Sequence, residues 1–358
     1  MRGALRGEAK IAQITGHGNH AESKLQRIDL LRDWLTAELD RDDFRLSPAS
    51  EDASFRRYFR VEPPGRPSLI VMDAPPAHED CRPFVHVARL FQAAGVHVPE
   101  VIAEDLEQGF LLLSDLGSTT YLAALRDPGI NADVLYREAL TSLVRIQAAS
   151  RPGELPGYDR ALLERELRLF PDWYVAKQLA VELSVDQRNA LERSFELLLA
   201  ENLAQPRVYV HRDYHSRNLM VTTPNPGILD FQDAVHGPIT YDLVSLLRDA
   251  YIEWPEQRQL DWAIRYWEAA RNAQLPVHAD FSDFYRSFEW MGAQRQIKVL
   301  GIFARLWKRD GKEGYLKDQP LVMRYLKRAS RRYNELAPLA KLLDELDPED
   351  RATVVTTF

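Results

Sequence analysis

The stretch from 208 to 231 limits most strongly what this chain can fold into and what it can do. It begins Val-Tyr-Val-His-Arg-Asp-Tyr-His-Ser-Arg-Asn-Leu and ends Ile-Leu-Asp-Phe, and its apolar runs predict short strands. Asp213 precedes Asn218 by five residues, and Asp230 follows Asn218 by twelve. This is the spacing of a phosphoryl-transfer catalytic loop followed by its metal-holding Asp-Phe pair.

The residue types in this stretch suit that chemistry. Phosphoryl transfer requires mainly that the phosphate, a metal ion and the acceptor oxygen are held in line. Because Mg²⁺ prefers oxygen ligands, we expect Asn218 and Asp230 to hold it, and Asp213 to accept the proton of the acceptor hydroxyl. His211 and His215 are not accompanied by the further ligands that a metal site needs, so we expect them to support the loop by hydrogen bonds.

Composition excludes several other classes of protein. A length of 358 residues suggests roughly two domains, and a net charge of −7 argues against a nucleic-acid or membrane-surface partner. The single cysteine, Cys81, excludes an internal disulfide and fits a reducing compartment. No apolar run approaches the ~20 residues of a membrane span, and residues 1–22, predicted as a disordered tail, lack the apolar core of a signal peptide. A cytoplasmic location is the expectation.

Residues 23–113 predict a small β-rich lobe. Apolar residues at steps of three and four over 23–39 predict an amphipathic helix. Strand, small-residue loop, strand, turn and strand then follow up to residue 72, which is the order of a kinase nucleotide-binding lobe. In that case Ser54 of the loop would donate a hydrogen bond to an ATP phosphate. An ordinary β-hairpin is the alternative.

One feature departs from the usual kinase lobe. Its third strand normally carries a lysine that pairs with the phosphates, but here that strand ends Val-Met-Asp at Asp73. We expect Arg56 or Arg57 to replace the lysine, since arginine binds phosphate through a two-pronged fork. Strand alternation would direct the two side chains to opposite faces, so that only one can reach ATP.

Residues 114–117 predict a hinge, and residues 118–345 a larger, mainly helical lobe, before a loose tail at 346–358. Leu113 and Asp115 at the hinge are candidates for contact with the adenine. A predicted helix over 161–178 carries Glu166 and Trp173, which are candidates for acceptor contact, although aromatic residues at this spacing more often form a core. Ser184 and Gln187 predict the capping box of a helix over 185–204.

A basic stripe follows near the end of the helical lobe. Arg295 and Lys298 lie at helical spacing within 294–312, together with further arginines. The stripe predicts a basic wall beside the acceptor, suited to an acceptor that bears a carboxylate and unsuited to a polycation. The alternative is an ordinary solvated basic face.

The motif His-x-Asp-x-His-x-x-Asn, followed by Ile-Leu-Asp-Phe and Gly-Pro-x-x-Tyr-Asp-Leu, resembles the aminoglycoside phosphotransferase/choline kinase family over about residues 23–340. The resemblance implies an α+β, protein-kinase-like bilobal fold and ATP-dependent phosphorylation of a small molecule. It implies Asp213 as the base, Asn218 and Asp230 as Mg²⁺ ligands, and Asp242 as a residue that holds the catalytic loop.

Within this family, the chain looks more like the bacterial N-acetylmuramate/N-acetylglucosamine anomeric kinases of cell-wall sugar recycling. The stretches that carry this likeness are 53–61, 72–76, 110–117, 230–234 and 294–312. The likeness implies ATP and an N-acetylated amino sugar as partners, with transfer to the C1 hydroxyl and a sugar 1-phosphate as product.

Two alternatives remain from the sequence. One is a kinase of another small alcohol or amine, of the aminoglycoside, choline or homoserine type. The other is a protein kinase, or a pseudokinase that only binds, which the missing lysine favours. The complete set of Asp213, Asn218 and Asp230 counts against a pure binding module, and the absence of an Ala-Pro-Glu-type segment after Phe231 counts against a protein kinase.

Overall fold

The computed structural model describes residues 27–51 and 55–347, which form two compact units. The first comprises the described residues up to Val85 together with Pro99–Asp115, and the second comprises His86–Val98 and the described residues from Leu116 onward. The first unit is rich in strand and the second is mainly helical, so the predicted α+β fold class is confirmed. The predicted tail over 1–22 lies outside the described residues, and the predicted lobe and hinge boundaries stay predictions.

The first unit is built on a five-stranded antiparallel sheet with the strand order β1-β2-β3-β5-β4. Its strands are β1 (Arg45–Glu51), β2 (Arg57–Glu62), β3 (Leu69–Asp73), β4 (Val101–Asp105) and β5 (Phe110–Ser114). In this register Arg57 of β2 lies opposite Asp73 of β3, and Ile70 of β3 lies opposite Leu113 of β5.

Helix α1 packs its apolar stripe against this sheet. The helix covers 27–39 of the described residues, and Leu31 and Leu35 on it are fully buried. They join Val61, Val71 and Phe110 in one hydrophobic cluster. The predicted amphipathic helix is therefore confirmed for its described part.

The second unit contains most of the helices and two small two-stranded sheets. The helices of the chain after α1 are α2 (Arg82–Ala93), α3 (Tyr121–Ala124), α4 (Ala132–Ala148), α5 (Arg160–Leu169), α6 (Val185–Ala204), α7 (Tyr241–Leu247), α8 (Glu256–Asn272), α9 (Phe281–Asp310), α10 (Gln319–Arg332) and α11 (Ala337–Leu346). The sheets pair β6 (Arg207–Val210) with β9 (Val235–Pro238), and β7 (Leu219–Met220) with β8 (Gly227–Ile228). Short 3₁₀ turns cover Glu313–Asp318 and Asn334–Leu336.

Local sequence signals account for α6 but not for the segment before it. The capping box of α6 is confirmed, because Ser184 accepts from the Gln187 N–H while the Gln187 side chain accepts from the Ser184 N–H. The predicted helix over 161–178 is helical, but it is not one regular helix. It is α5 followed by a π-helix, Phe170–Gln178, whose second residue, Pro171, has no N–H to donate to the carbonyl four residues earlier.

Helix α9 is the longest element and packs against both α5 and the π-helix. Most of its residues from Phe284 to Ala304 are buried, including polar ones. Gly301 allows close approach, since a Cβ there would lie 2.4 Å from the carbonyl carbon of Leu169. Among the helices within 27–51 and 55–347, none is both long enough and apolar enough to cross a membrane.

We expect Gly301→Ala to lower the free energy of unfolding by about 1–3 kcal/mol, because the added methyl group overlaps backbone atoms that cannot rotate away. The midpoint of urea unfolding measures this. Gly314→Ala is the matched control, since no atom lies within 4 Å of the Cβ it would add and its midpoint should stay close to that of the wild type. Equal midpoints for the two variants would contradict the packing described for α9.

Candidate active site

The second unit brings together the three residues that the sequence places at the centre of the chemistry. The loop over 211–218 joins β6 to β7, and Asp230 follows β8. The Leu229 N–H donates to the Asn218 carbonyl at 2.9 Å, which ties the two segments. The Asn218 amide nitrogen then donates to the Asp213 carbonyl oxygen at 3.0 Å and to Asp230 Oδ2 at 3.2 Å.

These bonds determine the orientation of the Asn218 side chain. Because Nδ2 faces two oxygen acceptors, the amide oxygen Oδ1 is the atom of this side chain that could bind a cation. Asp230 adopts a left-handed φ of 63°, which is uncommon for a residue other than glycine and occurs more often at functional sites.

The donor set fits magnesium. Among the described residues no group of three or more His, Cys, Asp or Glu side chains could hold a metal. A single carboxylate, Asp230, and a single amide oxygen, Asn218, match the sparse protein coordination of Mg²⁺, which shares its remaining positions with phosphate and water. The set does not suit zinc, which takes four close protein ligands in structural sites and three in catalytic ones.

His211 lies inside the loop as a neutral ring. The Asp213 N–H donates to its Nδ1 at 3.2 Å, and its Nε2 lies 2.9 Å from the Leu229 carbonyl oxygen, so the proton belongs on Nε2. Burial lowers the pKa of His211 to about 4. The ring therefore links the Asp213 segment to the Leu229 segment and holds no mobile proton at neutral pH.

Asp242, at the first turn of α7, holds the start of the loop. Its carboxylate accepts the His211 N–H at 2.6 Å and the Arg212 N–H at 3.0 Å, and the side chain is fully buried. Burial raises the pKa of Asp242 to about 7, against the two N–H donors that lower it. Arg212 has a φ of 78°, so two donated bonds maintain a backbone conformation that L-residues rarely adopt.

A second carboxylate, Asp249, holds the far side of the same loop. It accepts the Ser216 N–H at 3.0 Å and the Ser216 hydroxyl, and it also accepts the Tyr251 N–H at 3.1 Å. His215 lies edge-on to the Tyr251 ring, with ring centroids 5.5 Å apart. Its buried Nδ1 has no hydrogen-bond partner among the residues that the structure describes.

Glu166 and Lys298, predicted as acceptor contacts, pair with each other. The Lys298 ammonium lies 2.9 Å from Glu166 Oε1 and donates to the Tyr241 hydroxyl at 2.8 Å. Glu166 also accepts from Arg212 at 2.6 Å and from the Tyr158 hydroxyl. Burial alone would raise the pKa of Glu166, but the charges of Lys298 and Arg212 outweigh it and lower that pKa.

The same cations act on Asp213. Burial raises the pKa of the Asp213 carboxyl, but the opposing charge of Lys298 and smaller contributions from His215 and Arg295 bring it below its ordinary value. Asp213 is therefore ionised at neutral pH, which is the protonation state that a general base requires.

The other two acceptor candidates differ in environment. Trp173 lies half-buried on the π-helix. Arg295 is only 4% exposed, and it makes no hydrogen bond or ion pair with another residue of the described chain. Because both Arg295 and Lys298 are buried, the alternative of a solvated basic face is wrong for this part of α9.

Of the predicted nucleotide residues in the first unit, Ser54 lies outside the described residues. Arg56 lies 3.8 Å from a carboxylate oxygen of Glu79. Arg57 donates to Asp73, with its Nε at 3.0 Å from Oδ2, and Arg27 donates to the same fully buried carboxylate at 2.6 Å. Asp73, which ends the strand that usually carries the lysine, is thus paired with two arginines.

Leu113 and Asp115, the two predicted hinge contacts, also belong to the first unit. Leu113 is buried in β5, where it lies opposite Ile70. The Asp115 carboxylate accepts from Arg60 at 2.6 Å and from the Ser68 hydroxyl at 2.7 Å. Because the carboxylate already accepts these two hydrogen bonds, we expect a nucleotide to contact the backbone of Asp115 and not its side chain.

Sequence reasoning did not assign roles to Arg212, Tyr158 or Asp249. Arg212 lies inside the motif, so its position was a signal, but its partner Glu166 is forty-six residues away. Tyr158 and Asp249 lie in segments with no motif, and only the fold brings them to the loop.

Comparison with known proteins agrees with this geometry. The profile of the family described as "Phosphotransferase enzyme family" matches residues 45–282, a range that includes the whole catalytic loop and Asp230. The chain belongs to this phosphotransferase enzyme family. The prediction that it is a phosphotransferase enzyme is confirmed.

Curated relatives within this family share high identity with the chain. An N-acetylmuramate/N-acetylglucosamine kinase of Neisseria meningitidis is 51% identical over 93% of this chain and 100% of that protein. A protein of the same name from Pseudomonas aeruginosa is 56% identical over 84% of this chain and 88% of that protein. The predicted resemblance to these kinases is confirmed.

A solved structure extends the likeness to the fold. Choline kinase LicA from Streptococcus pneumoniae has a TM-score of 0.58 at 14% identity, over 86% of this chain and 98% of that one. At this identity the likeness concerns the fold alone. It confirms the predicted kinase-like fold of the phosphotransferase family.

We expect Lys298→Met to shift the acid limb of the pH profile of kcat/KM to higher pH. Lys298 is the largest of the charges that lower the pKa of Asp213, so its removal raises that pKa and the base is lost at a higher pH. Lys327→Met, which removes another largely buried lysine paired with carboxylates, is the control and should leave the profile in place. An unmoved acid limb in Lys298→Met would argue against the electrostatic role of this lysine.

Proposed function

We propose that this enzyme transfers the γ-phosphate of ATP to the C1 hydroxyl of N-acetylmuramate or N-acetylglucosamine, giving a sugar 1-phosphate. The observation that carries the proposal is the hydrogen bonding of Asn218, whose amide donates both to the Asp213 carbonyl oxygen and to the Asp230 carboxylate. The lowered pKa of Asp213 keeps its carboxyl ionised. The names of the curated relatives support the acceptor class. The choice of C1 rests on the resemblance of the sequence to anomeric sugar kinases.

In this proposal Asp213 accepts the proton of the acceptor hydroxyl as the oxygen attacks phosphorus. An anomeric hydroxyl is more acidic than an ordinary alcohol, so a carboxylate with a lowered pKa is basic enough to assist it. His211 orients the backbone of Asp213, and Asp242 holds the N–H groups of His211 and Arg212. The attacking oxygen is thus positioned by a loop with little freedom to move.

Asn218 and Asp230 are the residues that would hold the magnesium ion. When bound, this ion supplies positive charge that neutralises the phosphate oxygens during transfer. The bond from the Asn218 amide to Asp230 sets the two side chains side by side before any ion arrives. Gln232 donates to the other oxygen of Asp230 at 2.8 Å and orients that carboxylate further.

We assign nucleotide binding to the first unit, through the predicted residues Ser54, Arg56, Arg57, Leu113 and Asp115. Arg57 is the better placed of the two arginines, since Asp73 binds its Nε and Nη2 and so fixes the guanidinium plane. An arginine held in this way can present its remaining N–H groups to phosphate without the entropy loss of a free side chain.

The proposal is tested by the release of ADP from magnesium-ATP in the presence of candidate acceptors. The panel is N-acetylmuramate, N-acetylglucosamine, kanamycin, choline and a mixed peptide substrate. We expect release with the two amino sugars, and phosphorus NMR of the product should show the signal of a C1 phosphate. If only kanamycin or choline stimulated release, the proposed class of acceptor would be wrong. If the product carried its phosphate on C6, the proposed position of transfer would be wrong.

Asp213→Asn is expected to lower kcat by ~10²-fold or more while ATP binding survives, because the amide keeps the shape of the side chain but cannot accept the proton. Steady-state kinetics and nucleotide titration measure the two effects separately. Asp233→Asn, a neighbouring exposed carboxylate, is the control and should retain activity. Full activity of Asp213→Asn would remove this residue from the role of base.

Arg57→Ala is expected to raise the KM for ATP by ~10-fold or more, which is the typical loss of a charge-assisted hydrogen bond. Arg56→Ala distinguishes the two candidates, and Arg66→Ala, in an exposed turn, serves as the control. If ATP kinetics were unchanged in both Arg56→Ala and Arg57→Ala, neither arginine would replace the missing lysine.

A further inference from the structure

We propose that Arg295 binds the carboxylate that distinguishes N-acetylmuramate from N-acetylglucosamine. Arg295 would then make the enzyme more efficient with the acidic sugar than with the neutral one. The inference rests on the proposed function, because it names the residue that binds the carboxylate of one of the two proposed acceptors.

The first observation is the missing partner of Arg295. Its side chain is 4% exposed, and no hydrogen bond or ion pair joins it to any other residue in 27–51 or 55–347. The other buried cations of this unit do have partners, since Lys298 pairs with Glu166 and Arg248 pairs with Glu289. Arg295 differs from them in having no anion of its own.

An unpaired buried guanidinium needs an explanation. Arginine does not lose its proton at neutral pH, so burial without a counter-charge is costly. The cost of burying such a residue is offset when a bound ligand supplies the missing negative charge. A carboxylate fits, because a guanidinium binds it through two parallel hydrogen bonds.

The second observation is where Arg295 lies. It precedes Lys298 by three residues on α9, so the two side chains lie on the same face of that helix. Lys298 pairs with Glu166, and Glu166 accepts from Arg212, the neighbour of Asp213 in the chain. Arg295 therefore lies one helical turn from the ion pairs that flank the proposed base.

The third observation separates the acceptor from the nucleotide. The match to the phosphotransferase family covers 45–282 and includes Asp213, Asn218 and Asp230. Chemistry common to the family lies inside that range, whereas Arg295 lies beyond its end on α9. A residue outside the common part, yet one helical turn from the ion pairs that flank the base, is better suited to recognise a particular acceptor than to bind ATP.

The chemistry of the two sugars makes this role specific. N-acetylmuramate carries a lactyl ether with one carboxylate on O3, and N-acetylglucosamine has a free hydroxyl there. The phosphorylated position is the same in both. An arginine that binds the lactyl carboxylate therefore affects one substrate and leaves the other almost unchanged, so the pair of sugars isolates its contribution.

The experiment compares kcat/KM for both sugars in the wild type and in Arg295→Gln. We expect a loss of roughly 10- to 100-fold with N-acetylmuramate, mainly through KM, and a change below about 3-fold with N-acetylglucosamine. Arg286→Gln is the matched control, since it removes an arginine from the same helix whose partners are Glu201 and Glu335. It should leave both sugars unaffected.

Equal losses with both sugars, or no loss with either, would overturn the inference. Activity with N-acetylglucosamine shows directly whether Arg295→Gln is folded. If that variant is unfolded, the wild type decides the matter with the methyl ester of N-acetylmuramate, which keeps the lactyl group but lacks its charge. The ester should be poorer than the acid by a factor similar to the loss expected for the variant, and an equally good ester would overturn the inference.

This result is distinct from failure of the proposed function. A wild-type enzyme that phosphorylates neither sugar overturns the proposed function and the role of Arg295 with it. A wild-type enzyme that phosphorylates both, without selective loss in Arg295→Gln or with the ester, overturns the role of Arg295 alone.

Discussion

The start of the catalytic loop depends on one carboxylate, that of Asp242. It accepts two consecutive backbone N–H groups, those of His211 and Arg212, while it is fully buried at the first turn of α7. Since Arg212 has a left-handed backbone conformation, the loop would not keep this path without those bonds. The position of Asp213, and with it the proposed chemistry, follows from a buried acceptor in a different segment.

The charges around the loop are also arranged so that buried groups share partners. Glu166 sits between Arg212 and Lys298, so two buried cations share one carboxylate. The net positive charge that remains acts on Asp213 and keeps it ionised in spite of its burial. Within 27–51 and 55–347 no ion pair joins Asp213 directly to a cation, and this leaves the oxygens of the proposed base available for an acceptor proton.

Sequence reasoning predicted the fold class, the capping box of α6, the helix of the first unit and the family. It did so because the spacing of the loop motif and the periodicity of apolar residues are local properties. It did not predict the π-helix after Leu169, which depends on Pro171 and on packing against α9. It also did not predict that Glu166 and Lys298 bind each other across more than a hundred residues of chain, and their contact with the acceptor stays a prediction.

The sequence by itself therefore determined the chemistry that the loop can carry, because Asp213, Asn218 and Asp230 are close in the chain and one short hairpin, β7–β8, separates Asn218 from Asp230. Only the tertiary structure decided which charges are already neutralised. Lys298 and Arg295 are equivalent members of one basic stripe in the sequence. Folding gives Lys298 a carboxylate partner, whereas Arg295 has none among the residues that the structure describes. The reason is that ion pairing depends on distances between helices, which helical periodicity does not contain.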